Sequence, residues 1–239
     1  ATALSVRSVL NSIDHSLREA ENLALLVGLD ESVRDALEDL RDEPDGSFAY
    51  MKRSHELKFI LANFINAHSY ISNIIPIAMN GNLLNEALIY EKQRMGEMIH
   101  LDTMRARDDF VAFWGNVYPL YSTPSDRVYT CVRKIFSMKG AREVIGYIQV
   151  DIQPETIDRT LNNAMLGDTS TVALFDSENT LISVFGDASL IDAQGYADQD
   201  EEIIDKDDGK YLLVRETSNY SGWSIAILMH YDELFHFSF

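Results

Sequence analysis

Between His100 and Tyr147 the chain gathers side chains suited to holding a small organic molecule: His100, Trp114, Tyr118, Tyr121, Tyr129, Arg133 and Tyr147. Aromatic faces stack on rings or sugars, and a guanidinium grips a carboxylate or sulfonate through its fork of N–H donors. Small-molecule pockets are mostly apolar and aromatic with a few aimed polar groups, and this set has that composition. In an alternating strand, Tyr129, Cys131 and Arg133 share one face, while Val128, Thr130 and Val132 share the other. The valines are expected to face the core, so Tyr129 and Arg133 point together toward the cavity. The competing arrangement puts Arg133 on an outer surface with an acidic partner and Trp114 in plain core. These seven residues are the candidate ligand-binding set.

Other chemistries lack their residues. Nucleophilic catalysis needs Ser or Cys beside a base, yet there is no Gly-x-Ser-x-Gly, and Cys131 lies mid-strand among Val128, Val132 and Ile135. The six histidines (His15, His55, His68, His100, His230, His236) are scattered, and His230 and His236 lack i, i+4 spacing. The acidic run Asp198, Asp200, Glu201, Glu202, Asp205, Asp207, Asp208 misses the alternation of a calcium-binding loop and reads as a solvated surface loop. The twelve glycines are dispersed and form no phosphate cradle. No catalytic residue, metal site or cofactor is expected.

The chain has 239 residues, enough for one large domain or two small ones, and 46% are hydrophobic, so a sizeable core can form. The formal net charge of −18 argues against nucleic acid and anionic lipid as partners, since either would be repelled. A single cysteine cannot form an internal disulfide. No apolar stretch reaches the length of a membrane span, and no secretory signal stands at the start. The chain opens inside a helical pattern and closes on Leu234 to Phe239, so an excised piece with spans beyond both ends is expected.

Several elements must position the candidate residues. Val6, Val9, Leu10, Ile13, Leu17, Ala20, Ala24 and Val27 form one stripe of a long helix, with Gly28 as its stop. The stripe lacks sustained heptad leucines, so packing within the chain is expected, with weak pairing of two chains through its N-terminal half. Asp30 caps a short helix, and a third helix carries Leu57, Ile60, Leu61, Phe64 and Ile65 inward. Tyr70 to Met79 reads as a strand whose Pro76 places it at an edge or a bulge. Leu83 to Tyr90 is its return strand after the hairpin signal Asn80-Gly81-Asn82, residues 91–107 are helical, and 118–126 form a loop. Strands follow at Arg127–Phe136 and Val144–Ile152, then a helix from Pro154 to Ala164. Further strands are expected at Thr171–Phe175, Leu181–Phe185, Tyr211–Glu216 and Trp223–Met229, and a helix from Tyr231. Hairpins dominate, so the class is α+β.

This order carries a resemblance. V-R-K-I (132–135), I-G-Y-I-Q-V-D-I (145–152), V-A-L-F-D-S-E-N-T-L-I (172–182) and G-W-S-I-A-I (222–227), behind a long first helix, resemble the double-Cache sensor domain of bacterial transmembrane receptors, above all histidine kinases. The resemblance covers nearly the whole chain. It implies a stalk helix with following helices (1–67), a membrane-distal PAS-like module that holds the ligand (68–153) and a membrane-proximal module (154–239). It further implies an extracytoplasmic location in the cell membrane, flanking transmembrane helices and no catalysis in this piece. The ligand would be a small molecule such as a sugar or organic acid, or in the alternative a solute-binding protein. A kinase, an AraC-like regulator or a chemoreceptor could follow. Many amino-acid-binding members carry Arg-x-Trp-Tyr and a later Asp on the sheet. Here no arginine precedes Trp and Tyr at that spacing, which argues against free α-amino acids.

Overall fold

The computed structural model describes residues 2–44, 46–85, 100–117, 127–140, 143–164, 169–192, 201–207 and 209–235. Helix α1 runs Thr2–Leu29. Its stripe is buried as the spacing requires: Val6, Leu10, Ile13, Leu17, Ala20, Leu23, Ala24 and Val27. Gly28 does not stop the helix, because it lies inside it with Ile135 against its backbone. A Cβ there would sit 2.2 Å from Ile135 Cδ1, so this glycine serves close approach of helix to strand. The chain breaks at Asp30, whose carboxylate accepts from the amides of Ser32 (2.9 Å) and Val33 (3.2 Å) and caps α2, Glu31–Asp39. Helix α3, Phe48–Ala67, is capped by Ser47 and buries Tyr50, Ser54, Leu57 and Leu61, while Ile60, Phe64 and Ile65 are half-buried.

The chain divides into two units, residues 18–153 and residues 1–17 with 154–239. The first holds an antiparallel sheet of β1 (Ile71–Ala78), β2 (Val111–Val117), β3 (Arg127–Phe136) and β4 (Val144–Ile152), in the order β1-β4-β3-β2. Pro76 lies in edge strand β1, where its missing N–H costs the ladder least. After β1 the chain folds back. Leu83 bridges to Ile77, and the Leu84 amide donates to Pro76 O at 2.8 Å. Residues 86–90 of the expected return strand and 91–99 of the expected helix lie outside the described residues. So do 118–126, and Tyr118 and Tyr121 with them. The described part of that helix is a short one, α4, Leu101–Ala106.

The second unit has α5, Pro154–Asn162, and an antiparallel sheet of β5 (Thr171–Phe175), β6 (Leu181–Phe185), β7 (Glu201–Lys206), β8 (Gly209–Thr217) and β9 (Ser224–His230), ordered β6-β5-β9-β8-β7. Strand β7 corrects the reading of the acidic run as loop. Glu201 to Lys206 is an edge strand paired with β8, its acids outward and Ile204 packed on the core. Charge on an exposed edge protects it from pairing with other chains. Asp198, Asp200 and Asp208 lie outside the described residues. The expected terminal helix is a 3-10 turn, Tyr231–Phe235. Within this unit α1 is tied to the β8–β9 loop. Asp14 accepts from Ser218 Oγ (2.7 and 2.9 Å) and from Ser221 Oγ (2.8 Å), and Arg7 reaches Glu216 at 3.1 Å.

Candidate ligand site

Strand register assigns Trp114, Tyr129, Arg133 and Tyr147 each to one of two faces of the first sheet. Asn73 on β1 pairs with Asp151 on β4, Asp151 with Thr130 on β3, and Thr130 with Trp114 on β2. These four side chains therefore stand in one row across the sheet, on one face. The next row is Ile75, Gln149, Val132 and Ala112, and beyond it Tyr147 stands opposite Ile77 and Lys134. Trp114, Tyr147, Val128, Val132, Ile75 and Ile77 pack into one cluster with Leu83 and with Met104 of α4. His100, at the head of α4, lies flat on Trp114 with ring centroids 4.4 Å apart and planes 9° apart.

The other face carries Tyr129, Cys131 and Arg133. Arg133 is part-buried and pairs with the Glu21 carboxylate of α1. Tyr129 and Arg133 thus share a face, as alternation requires, and it is not the face of Trp114. Both sheet faces are buried, so the valines that mark one as core do not make the other a pocket. Trp114, Tyr147 and His100 are brought together; Tyr129 and Arg133 are kept from them by the thickness of the sheet. On the Arg133 side lies a cavity of about 140 Å³ lined by Leu25, Leu29, Arg34, Arg133, Ile135 and Met138, among others. Burial, reinforced by Glu21, pushes the Cys131 thiol well up, so it is held neutral and unreactive.

Sequence reasoning missed the polar centre of the first face. Asp151 is completely buried. Its Oδ1 accepts from Thr130 Oγ1 at 3.0 Å and from Gln149 Nε2 at 2.9 Å. A buried carboxylate is costly unless its charge is met by donors or a counter-ion. Thr130 and Gln149 are among its partners, and it stands in the row of Trp114 with Thr130 between them. Asn73 borders it, with Oδ1 accepting from the Ile74 amide (2.9 Å) and from Asn85 Nδ2 (3.2 Å). At the far end of the face, burial raises the Tyr147 phenol and the Arg105 guanidinium of α4 partly offsets it. The signal was present in I-G-Y-I-Q-V-D-I. Tyr147, Gln149 and Asp151 alternate with Ile148, Val150 and Ile152, which places an amide and an acid on one buried face. Among the described residues no group of His, Cys, Asp and Glu could hold a metal ion, and no helix is long and apolar enough to cross a membrane.

Two PAS-like modules behind a long helix, with a buried polar centre on the first sheet, define a sensor architecture. The family model of the Cache domain (double-Cache type 1) matches residues 1–236, and the chain belongs to this family. Its fold is shared by solved sensor domains. The sensor domain of the Vibrio cholerae histidine kinase DctB superposes with a TM-score of 0.63 at 12% identity, covering 95% of this chain and 94% of that one. The ligand-binding domain of the Pseudomonas aeruginosa amino-acid chemoreceptor PctC, in complex with GABA, gives 0.58 at 12% identity, covering 95% of each chain. That of the Campylobacter jejuni chemoreceptor Tlp3, with 4-methylisoleucine, gives 0.55 at 12% identity, covering 98% of this chain and 90% of that one. No curated protein matches the chain in sequence.

Proposed function

We propose that this Cache domain is the extracytoplasmic sensor of a bacterial membrane receptor, a histidine kinase in the first instance, and that it recognises a small amine. The module of residues 68–153 is membrane-distal and holds the ligand; the module of 154–239 is membrane-proximal, and a membrane span flanks each end of the sensor. The observation that carries the amine is Asp151, a buried carboxylate held by Thr130 and Gln149 on the sheet face that also carries the stacked His100 and Trp114. An ammonium pairs well with a carboxylate, and aromatic faces favour cations. A ligand bearing only an acid would be repelled there, so we take an amine over the organic acid suggested by sequence. The GABA and 4-methylisoleucine complexes of fold relatives support an amino group as the recognised feature. The Arg-x-Trp-Tyr pattern is missing here, so the α-carboxylate clamp is missing too, which favours amines without an α-carboxylate.

Binding acts on the receptor only through the difference in affinity between its two conformations. In the membrane-proximal module the Asp14 bonds to Ser218 and Ser221 give α1 a fixed attachment through which such a difference can move it. Titration calorimetry of the 239-residue chain tests the reading, with GABA, ethanolamine and putrescine set against acetate and glucose. Saturable heat from an amine supports it. Heat from glucose or acetate alone, with none from the amines, overturns it.

A further inference from the structure

Among the described residues, Arg215 of β8 meets no counter-charge. It is 8% exposed. Its Nη2 donates to Asn179 Oδ1 at 3.0 Å and to Ser224 Oγ at 3.0 Å, both neutral, and its Nε is buried without an acceptor. No ion pair to it occurs among the described residues. By contrast Arg7, Arg41, Arg53, Arg105, Arg107 and Arg133 each reach a carboxylate, although none is so deeply placed. Acids are not scarce in a chain that has 38 of them. A guanidinium removed from water is costly unless an anion answers it and its donors are filled.

The surroundings are those of a binding face. Tyr211, Leu213 and Arg215 alternate along β8 and so share one side of the sheet. Tyr211 and Leu213 belong to the core cluster of that side, with Ala173, Phe175, Ala226 and Leu228. Directly across from Arg215 on β9 stands Ala226, and across from Ala226 on β5 stands Ala173. Its neighbours in that row are thus two methyl groups, which offer the guanidinium no acceptor. Asn179, which holds it from the β5–β6 turn, sits at φ 63°, the left-handed region, and the turn is fastened by Asp176 Oδ1 accepting from the amides of Glu178 (2.9 Å) and Thr180 (2.8 Å). Asn179 and Ser224 thus orient the arginine without neutralising it.

We propose that the second module binds a small oxyanion at Arg215. The anion is a carboxylate or a tetrahedral oxyanion, bound by the charge and by the Nε donor. This site is separate from Asp151, takes ligands of the opposite charge and gives the sensor a second input. Arginine Nε–Hε NMR of the 239-residue chain, titrated with acetate, pyruvate, inorganic phosphate and sulfate, reads the group directly and needs no variant. Saturable movement of the Arg215 resonance with at least one anion is expected. Carboxylates moving it and tetrahedral anions not doing so, or the reverse, names the class. The thermal midpoint is expected to rise with that anion in the unsubstituted chain and equally in D151N, and not to rise in R215M. Failure of the amine reading leaves this result untouched, because D151N keeps Arg215. No saturable movement with any of the four anions, or a rise in midpoint that persists in R215M, overturns the proposal.

Discussion

Replacing Asp151 by asparagine removes a charge and almost nothing else. The amide is isosteric and retains an acceptor oxygen for Thr130 Oγ1 and Gln149 Nε2, which lie 3.0 and 2.9 Å from Oδ1. The fold therefore keeps its hydrogen bonds, and the change in stability is expected to stay below about 1 kcal/mol. The ligand loses more. A hydrogen bond to a charged group contributes about 1.5–3 kcal/mol, and each 1.4 kcal/mol is about tenfold in affinity. D151N should weaken amine binding by about 10- to 100-fold in titration calorimetry at neutral pH. The companion D151A removes both acceptors and leaves Thr130 and Gln149 with buried donors, so it should also destabilise the fold by about 1–3 kcal/mol. Amine affinity in D151N within about twofold of the unsubstituted chain, a difference below about 0.5 kcal/mol, would refute the assignment of Asp151 as the counter-charge.

Three further outcomes follow from the geometry. D14A deletes the acceptor of Ser218 and Ser221, which at about 1.5 kcal/mol for each charge-assisted bond costs about 3 kcal/mol in urea denaturation; an unchanged midpoint would show the attachment to be idle. G146A places a Cβ 2.6 Å from the backbone oxygen of Ile77 and 2.8 Å from Leu37 Cδ2, so it should cost about 1–3 kcal/mol and be found, if tolerated, only with a displaced β1. The Cys131 thiol should resist a disulfide reagent at pH 8 until the chain unfolds. Burial raises it above its ordinary value of 9.0, so its contribution to stability is complete below that pH and is lost as pH rises through the folded-state value; thiol reactivity in the folded chain at the free-cysteine rate would contradict its burial.

Local patterns read well where one rule acted alone. The α1 stripe, the Asp30 cap and the placement of Pro76 in an edge strand follow from helical period, side-chain capping and a missing N–H. The readings that failed were those in which two rules competed. Gly28 suggested a helix stop, yet Ile135 needed room and the helix continued to Leu29. The acids of Glu201 to Lys206 suggested a solvated loop, yet β8 offered an edge and the acids face water from a strand. Alternation placed Arg133 on the face of Tyr129 and Cys131, as found, but the first sheet is covered on both sides, so the valines did not tell which face Trp114 shares or that Glu21 meets Arg133.

The sequence by itself determined the period of each element, the α+β class and the family, because these depend on neighbours a few residues apart and on their order. It also determined that Tyr147, Gln149 and Asp151 share a face, since β-strand alternation is fixed by covalent geometry. Tertiary structure decided what each face meets. Asn73, Asp151, Thr130 and Trp114 come from four strands and meet only through interstrand register. Glu21 claims Arg133 from 112 residues away, and among the described residues Asn179 and Ser224 but no carboxylate meet Arg215. Such pairings are set by how sheets and helices pack over long separations, where a one-residue slip of register would exchange every side chain between the two faces.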